Sequence, residues 1–528
     1  APLFLAVGGV LACYGIISFR STEDHFLRLV RGDIERIVDE SERALIAADR
    51  GLYQRDGLIV NVVAAPVIAA GGHEITAQRI GECGDYALLE HLACAAHFTK
   101  YDKRERSDVA ADPPVWIVKT MRERKEKRFP ILTGVISAPT MRRDGSIIDR
   151  PGYDLATGLL FDAQGVEFPS IPDRPTREEA RAALALLENL IATFPFVGDV
   201  DRAVALSAIV TAPVRRSLPS VPMHAFSSPV AGSGKSMLVD LCSVITTGHE
   251  AGVIAQGKSA EEMEKRLGSA LLAGDTVIAI DNCEAPLGGD LLCQTLTQPV
   301  VKTRVLGLSK TPTLSTGAFV TATGNNLVLV GDVTRRSLLS CLDPKCERPE
   351  TRVFVSNPCQ VAKANRPALV GAALTILRAF HIAGRQYTKA PPLGSFEEWS
   401  SLVRGALLWL GCADPVDSMD AVRTSDPKLS HLRAVAEQWR AVIGPEGVTA
   451  ADVIKRATER PGRNGEPADF DHAEFREVLI IVAGDKGAIN GRRLGKWLAE
   501  AAGRIVDGRR FTHCGTRQGV RVWALETL

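Results

Sequence analysis

The sequence predicts a multidomain α/β protein: a mixed α/β N-terminal domain, a central parallel sheet, a helical region and a small basic C-terminal module. Three observations carry that prediction. The chain has 528 residues, 45% of them hydrophobic, enough for roughly three or four separately packed cores. Across 222–345 short apolar runs alternate with polar loops, the pattern of parallel strands buried on both faces. On either side of that stretch apolar residues recur at helical spacing.

Taken in order, the apolar run APLFLAVGGVLACYGIISF is about long enough to cross a bilayer. No basic residue precedes it and adjacent glycines weaken a spanning helix, so it is read as buried strand or helix, and a membrane is not an expected partner. Residues 24–48 read as a charged amphipathic helix. Hairpins are predicted at Asp56-Gly57 and Asp144-Gly145. The basic run at 118–130 reads as a solvated helix face of mixed sign, with a nucleic-acid phosphate contact as the alternative. A polar, Pro-rich stretch closes the N-terminal domain at 1–175.

Thr176 and Glu179 form a capping-box signature before a helix carrying Leu184, Leu187, Leu190 and Ile191, so 176–221 is a helical lead-in. The α/β core spans 222–355, a helical region 356–445 and the C-terminal module 446–528. Lys plus Arg (63) balances Asp plus Glu (62), so any surface for a polyanion must be local. Eleven cysteines without a C-x-x-C pair point to reduced thiols and a cytoplasmic protein. Cys83, His91, Cys94 and His97 have spacing that suits core packing as well as a metal.

The chemistry-bearing series begins at SPVAGSGKS, residues 228–236. Small residues in such a loop turn backbone N–H groups toward phosphates, a lysine reaches the β and γ oxygens, and a hydroxyl holds Mg²⁺. Ala231, Gly232, Ser233, Gly234, Lys235, Ser236 and Met237 are therefore the candidate cofactor-binding residues, and ATP with Mg²⁺ is the expected ligand. Pro229 stands where such a loop usually opens with glycine, a position that tolerates a fixed φ. DTVIAIDNCEA is a buried strand ending in Asp281, which joins Ser236 as candidate metal ligand. Asn282 occupies the place of the usual base, so Glu284 is the candidate general base. GAFVTATGNN delivers Thr323, Asn325 and Asn326 to the sheet edge, with Asn326 the candidate catalytic group. Arg335 and Arg336 follow in GDVTRR, suited to reach a neighbouring subunit's γ-phosphate.

The ordered set GSGKS, VIAIDN, TATGNN and GDVTRR, followed by ERPETRVF, resembles the AAA+ superfamily 3 helicase domains of phage, plasmid and integrative-element replication proteins, including the primase-helicase type. PGYDLATGLLF and WSSLVRGALLWLGCADP extend the resemblance to about residues 110–528. Pro229 and Asn282 depart from the commoner pattern. The resemblance implies an AAA+ P-loop ATPase that forms a homo-oligomeric ring, a hexamer. It also implies a channel hairpin in TLTQPVVKTRVLGLSKTPTL, whose Lys302, Arg304 and Lys310 would meet the phosphates of single-stranded DNA.

Residues 489–528, with eight Lys and Arg against three Asp and Glu, resemble a winged helix that would bind duplex DNA through Arg492, Arg493 and Lys496. The expected function is an ATP-driven helicase translocating on single-stranded DNA in replication of a mobile element. The alternative is an AAA+ initiator or loader that assembles on DNA without unwinding, and a third reading is an ATP-regulated scaffold without turnover. The first 170 residues hold no acidic trio of the primase kind, so a primase domain or protein is expected only as a partner.

Overall fold

The computed structural model describes residues 25–69, 74–257, 259–302, 313–346, 348–349, 357–386, 390–425, 427–460 and 469–528. The N-terminal region opens with β1 (Phe26–Leu29), α1 (Ile34–Ala47), β2 (Leu52–Arg55), β3 (Leu58–Ile68), β4 (Glu74–Glu82), α2 (Asp85–Ala95), β5 (His97–Asp102), β6 (Ser107–Ala111) and α3 (Val115–Glu123). The helix expected over 24–48 is thus a strand and a shorter helix. Gly32, at φ 92°, turns the chain between them, a conformation that ends any regular run there.

The β2–β3 hairpin forms where predicted, with Asp56 and Gly57 both at positive φ (51° and 80°), as a two-residue turn matching strand twist requires. Strands β1, β5 and β6 form one sheet, β1 parallel and β6 antiparallel to β5. One side of it is the core: Leu27 and Phe98 pack with Ile37, Val38, Leu88, Leu92, Ile117 and Met121 from the three helices.

Three arginines of the basic run, from the last turn of α3 onward, are paired within this domain. Arg122 pairs with Glu82 and Asp85, and Arg124 and Arg128 donate to Asp39 at 2.5 and 2.6 Å. Cys94 and His97 are exposed while Cys83 is buried, so these residues neither pack together nor converge on a metal. Among the described residues no three His, Cys, Asp or Glu side chains are grouped to hold a metal ion.

The chain continues through β7 (Gly134–Ile136), β8 (Thr140–Met141), β9 (Ile147–Ile148), β10 (Gly152–Asp154) and β11 (Leu159–Phe161), the β8–β9 pair turning at Asp144-Gly145 as predicted. Next come α4 (Arg177–Leu190) and α5 (Asp199–Val214). The Thr176 hydroxyl accepts the Glu179 N–H at 3.1 Å and the Glu179 carboxylate accepts the Thr176 N–H at 2.7 Å, the reciprocal cap the sequence signals.

The central unit is built from β12 (Met223–Ser228), α6 (Lys235–Thr247), β13 (Val253–Ala255), α7 (Ala260–Ala273), β14 (Val277–Asp281), α8 (Asp290–Thr297), β15 (Val300–Lys302), β16 (Thr313–Ser315), β17 (Phe319–Asn325) and β18 (Ser337–Cys341). Five strands form an all-parallel sheet in the order β13-β14-β17-β12-β18. Its central strands are buried along nearly their whole length because both faces are covered, the polar His224, Thr321 and Ser337 included. The far end of the β3–β4 hairpin meets this unit. Ala69 bridges Gly252, where a Cβ would stand 2.9 Å from Val67, and Arg79 grips Asp275 through two 3.0 Å hydrogen bonds.

Helices α9 (Pro358–Ala364) and α10 (Arg366–Ile382) follow, then α11 (Glu397–Trp399) and α12 (Gly405–Leu410) joined by a π turn, and α13 (Ser418–Ser425). One core cluster runs from Ala138 to Val422, joining these helices to the sheet. Arg366 sits at the end of α6, donating to the carbonyls of Ile245, Thr246 and Ser137 at 3.1, 3.0 and 2.7 Å. It supplies both charge and donors to orphan helix carbonyls.

A separate core, centred on Trp439, Phe475 and Phe511, holds α14 (Pro427–Val442), β19 (Val448–Thr449), α15 (Ala450–Ala457), α16 (Ala473–Ala483), α17 (Gly491–Ala501), β22 (Ile505–Val506), β23 (Arg509–Arg517) and β24 (Val520–Thr527), with the two-residue pair β20 (Gly484–Asp485) and β21 (Ala488–Ile489) before α17. Among the described residues no helix is long and apolar enough to cross a membrane.

Candidate functional site

The loop after β12 and the N-terminus of α6 stand at the C-terminal edge of the parallel sheet, where crossovers open a crevice for ligands. Gly232 and Gly234 have φ of 72° and 100°. A Cβ on Gly234 would also lie 3.0 Å from the Phe194 ring, so a side chain there would press on that ring as well as strain the backbone. Lys235 opens α6 and is buried, with its ammonium donating to Val230 O at 3.0 Å, Ser233 Oγ at 3.2 Å and Asn325 Oδ1 at 2.8 Å. Burial lowers its pKa, and the nearby Asp281 charge works against that shift.

One helical step on, Ser236 Oγ donates to Asp281 Oδ1 at 3.0 Å. The same carboxylate oxygen accepts from Thr323 Oγ1 at 2.6 Å, and Thr323 Oγ1 in turn accepts the Asn282 N–H at 3.1 Å. Three chain segments therefore converge on Asp281. Gly324 allows the approach, since a Cβ there would stand 2.7 Å from the Cys283 carbonyl. Asn282 is at φ 51° and turns the chain so that its side-chain amide donates to Glu284 Oε1 at 3.2 Å. Glu284 itself is exposed on this turn.

Lys235, Ser236 and Asp281 are thus brought together as the sequence expects, with Ser233 and Gly234 beside them. Ala231 and Gly232 are exposed at the loop crest, and Met237 is half-buried against the core. The side chain that meets Lys235 from β17 is Asn325. Asn326 lies beyond the strand at φ 46°, with its N–H on the Ser228 carbonyl at 2.9 Å. Alternation accounts for this: Thr323 and Asn325 share one face of the strand. Parity along TATGNN is the signal by which Asn325 could have been chosen from sequence.

Arg335 and Arg336 lie on the 3₁₀ segment Gly331–Arg336, and neither hydrogen-bonds to Lys235, Ser236 or Asp281. Arg336 is tied down, donating to Cys293 O at 2.7 Å and Thr297 Oγ1 at 2.6 Å on α8 and pairing with Asp332. Arg335 is half exposed and, among the described residues, pairs with Asp332 alone. β15 and β16 pair antiparallel, with Lys302 opposite Thr313. Arg304 and Lys310 fall outside the described residues.

On the C-terminal unit, Asn490 Oδ1 accepts the N–H groups of Arg492 and Arg493 at 3.0 and 3.1 Å, capping α17. Arg493 bends back to the Gly484 carbonyl at 2.5 Å, while Arg492 and Lys496 remain exposed one turn apart. The β23–β24 hairpin turns at Gln518 and Gly519, φ 52° and 79°.

No family model and no curated protein matches the chain. Among solved structures it is similar to the NrS-1 C-terminal region, at 11% identity and TM-score 0.37, covering 91% of this chain and 98% of that one. It is also similar to the active helicase Cch of SCCmec type IV, at 11% identity and TM-score 0.35 over 90% of this chain and 97% of that one. The JCV helicase is matched at 13% identity and TM-score 0.20, over 48% of this chain and 74% of that one.

Proposed function

We propose that the chain is an ATP-driven DNA helicase of the ring-forming AAA+ kind, moving on single-stranded DNA in the replication of a mobile element. The observation that carries the reading is the convergence of Ser236 and Thr323 on Asp281, with Lys235 bonded to Asn325 beside them, at the C-terminal edge of a parallel sheet. A buried cation facing a hydroxyl–carboxylate pair at the start of a helix is suited to a nucleoside triphosphate. The hydroxyl and carboxylate oxygens of Ser236 and Asp281, 3.0 Å apart, are hard donors that fit Mg²⁺. The bound ion would neutralise charge on the β and γ phosphates.

In this reading Lys235 orients the phosphates, and Asn325 and Asn326 line the edge that faces them. Glu284, whose carboxylate accepts the Asn282 side-chain amide, takes the proton of the attacking water. Arg335, exposed and without a partner on α8, serves the neighbouring subunit of a hexamer. Lys302, with Arg304 and Lys310, follows the DNA backbone from the β15–β16 hairpin. The basic C-terminal unit, a winged helix in this reading, places Arg492, Arg493 and Lys496 on duplex DNA.

The test is ATP turnover with and without single-stranded DNA, together with displacement of a strand from a forked duplex, each compared with Lys235→Ala. ATP-dependent displacement lost in that variant supports the helicase. Turnover without displacement overturns it in favour of an initiator or loader, and absence of turnover overturns it in favour of a scaffold.

A further inference from the structure

Among the described residues the sheet β1–β5–β6 has helices packed on one side only. Alternation sends Leu27 and Phe98 into that core and Phe26, Arg28, His97, Thr99, Tyr101, Asp108 and Ala110 to the other face. An uncovered sheet face ordinarily carries polar side chains. Here Phe26 is 71% exposed and Tyr101 52% exposed, two aromatic rings presented on an otherwise polar face.

The rings are ordered. Phe26 stacks on His97 with centroids 5.3 Å apart, and the Arg28 guanidinium lies 5.9 Å from the centre of the Tyr101 ring while its Nε donates to Asp108 at 3.0 Å. That ion pair neutralises the acid that these strands place on the face. Tyr101 is four residues along β5 from His97, roughly 13 Å at about 3.3 Å per residue, so the face offers two separate ring platforms.

At the Tyr101 end, β5 turns into β6 through Lys103, Arg104, Glu105 and Arg106, all exposed. Among the described residues Lys103, Arg104 and Arg106 make no ion pair. Flat rings at intervals on a helix-backed sheet, flanked by exposed cations, suit a flexible polyanion with exposed π faces. A folded protein partner would leave the cations of the turn unmatched unless it were acidic, and duplex DNA keeps its bases stacked inside.

We infer that this face is a binding surface for single-stranded nucleic acid, in which bases stack on Phe26/His97 and on Tyr101 while Lys103, Arg104 and Arg106 hold phosphates. The surface is separate from the ATP site and needs no nucleotide, so it stands or falls independently of the helicase reading.

The full chain, without ATP, is titrated against a fluorescein-labelled oligothymidylate and against an abasic oligodeoxynucleotide of the same length, followed by anisotropy. Because both side chains are exposed, Phe26→Ala and Tyr101→Ala keep the fold. Each is expected to weaken oligothymidylate binding roughly 5- to 150-fold, the equivalent of about 1–3 kcal/mol per stacked base, and to leave abasic binding nearly unchanged. Phe26→Tyr and Tyr101→Phe should restore affinity. Replacing Lys103, Arg104 and Arg106 with Ala should weaken both oligomers and flatten the salt dependence of binding. Oligothymidylate binding that is the same in Phe26→Ala/Tyr101→Ala as in the unaltered chain overturns the inference. If that double variant instead shifts the sedimentation of the protein, the face is a contact between copies and the inference also fails.

Discussion

Ser236 Oγ and Asp281 Oδ1, 45 positions apart in the chain, share a 3.0 Å hydrogen bond. It joins the first turn of α6 to the end of β14, strands β12 and β14 being separated in the sheet by β17. Thr323, on that intervening strand, braces the same oxygen. The carboxylate is therefore held by two hydroxyls from different elements, and preorganised charge is the most effective kind at a site of phosphoryl transfer. Asp281→Asn keeps the shape and removes the charge. ATP turnover should fall roughly 100-fold or more, and the Mg²⁺ concentration for half-maximal rate should rise. Turnover within a few-fold of the unaltered chain would remove Asp281 from the metal site.

A second contrast separates the two asparagines. Lys235→Ala should abolish nucleotide binding, measured with a fluorescent ATP analogue, since among the described residues no other cation hydrogen-bonds within this cluster. Asn325→Ala removes the 2.8 Å acceptor that aims the ammonium. Loss of one charge-assisted hydrogen bond of about 1.5 kcal/mol would slow turnover about tenfold, with little change in ATP affinity. Asn326→Ala should cost less, because its described contact is through the backbone N–H. A larger loss from Asn326→Ala would return the catalytic role to that residue.

The arginines differ in the same readable way. Arg336 holds α8 through Cys293 O and Thr297 Oγ1, so Arg336→Ala should lower stability by about 1–3 kcal/mol as those acceptors lose a charged donor. Arg335→Ala should leave the melting temperature nearly unchanged and abolish turnover. Mixing Arg335→Ala with Lys235→Ala subunits should recover part of the ATPase, each supplying what its neighbour lacks. No recovery in such mixtures, with full activity of Arg335→Ala alone, would exclude action between subunits.

Much of this was legible in the chain because the relevant physics is local. The Thr176/Glu179 box, the Asp56-Gly57 turn and the apolar runs ending at Asp281 and Asn325 each announce themselves within a few residues. Sheet order is not local: nothing in MHAFSS says that it lies between β17 and β18. β1 is too short to show a period, and the amphipathic pattern of α1 absorbs it when the turn at Gly32 goes unread. In the basic run at 118–130, Arg124 finds Asp39 in α1, 85 positions back, and Arg122 finds Glu82 and Asp85, pairings that only folding brings about. The open face carrying Phe26 and Tyr101 escaped for the same reason, since its two strands lie far apart in sequence.

Protons give the last test. His224 sits in β12, wholly buried, its ring 5.2 Å from Phe319 and 6.2 Å from Trp399, with Nε2 2.9 Å from Ser207 Oγ. Burial pushes its pKa down from the ordinary value to about 3. The unfolded chain takes up that proton near pH 6.5, while the folded chain refuses it until near pH 3. Stability from neutral His224 is therefore complete above about pH 6.5 and declines as pH falls toward 3, by at most about 1.4 kcal/mol per pH unit. His249, also lowered by burial, adds in the same sense. Asp201 and Asp275, whose buried carboxyls are pushed up, act oppositely, so the informative quantity is the difference between two slopes. Denaturant unfolding between pH 7 and pH 5 should show stability falling less steeply in His224→Gln than in the unaltered chain, by up to the equivalent of one proton. Identical slopes would mean that His224 accepts its proton in the folded state, and that the core around Phe319 and Trp399 admits a charge.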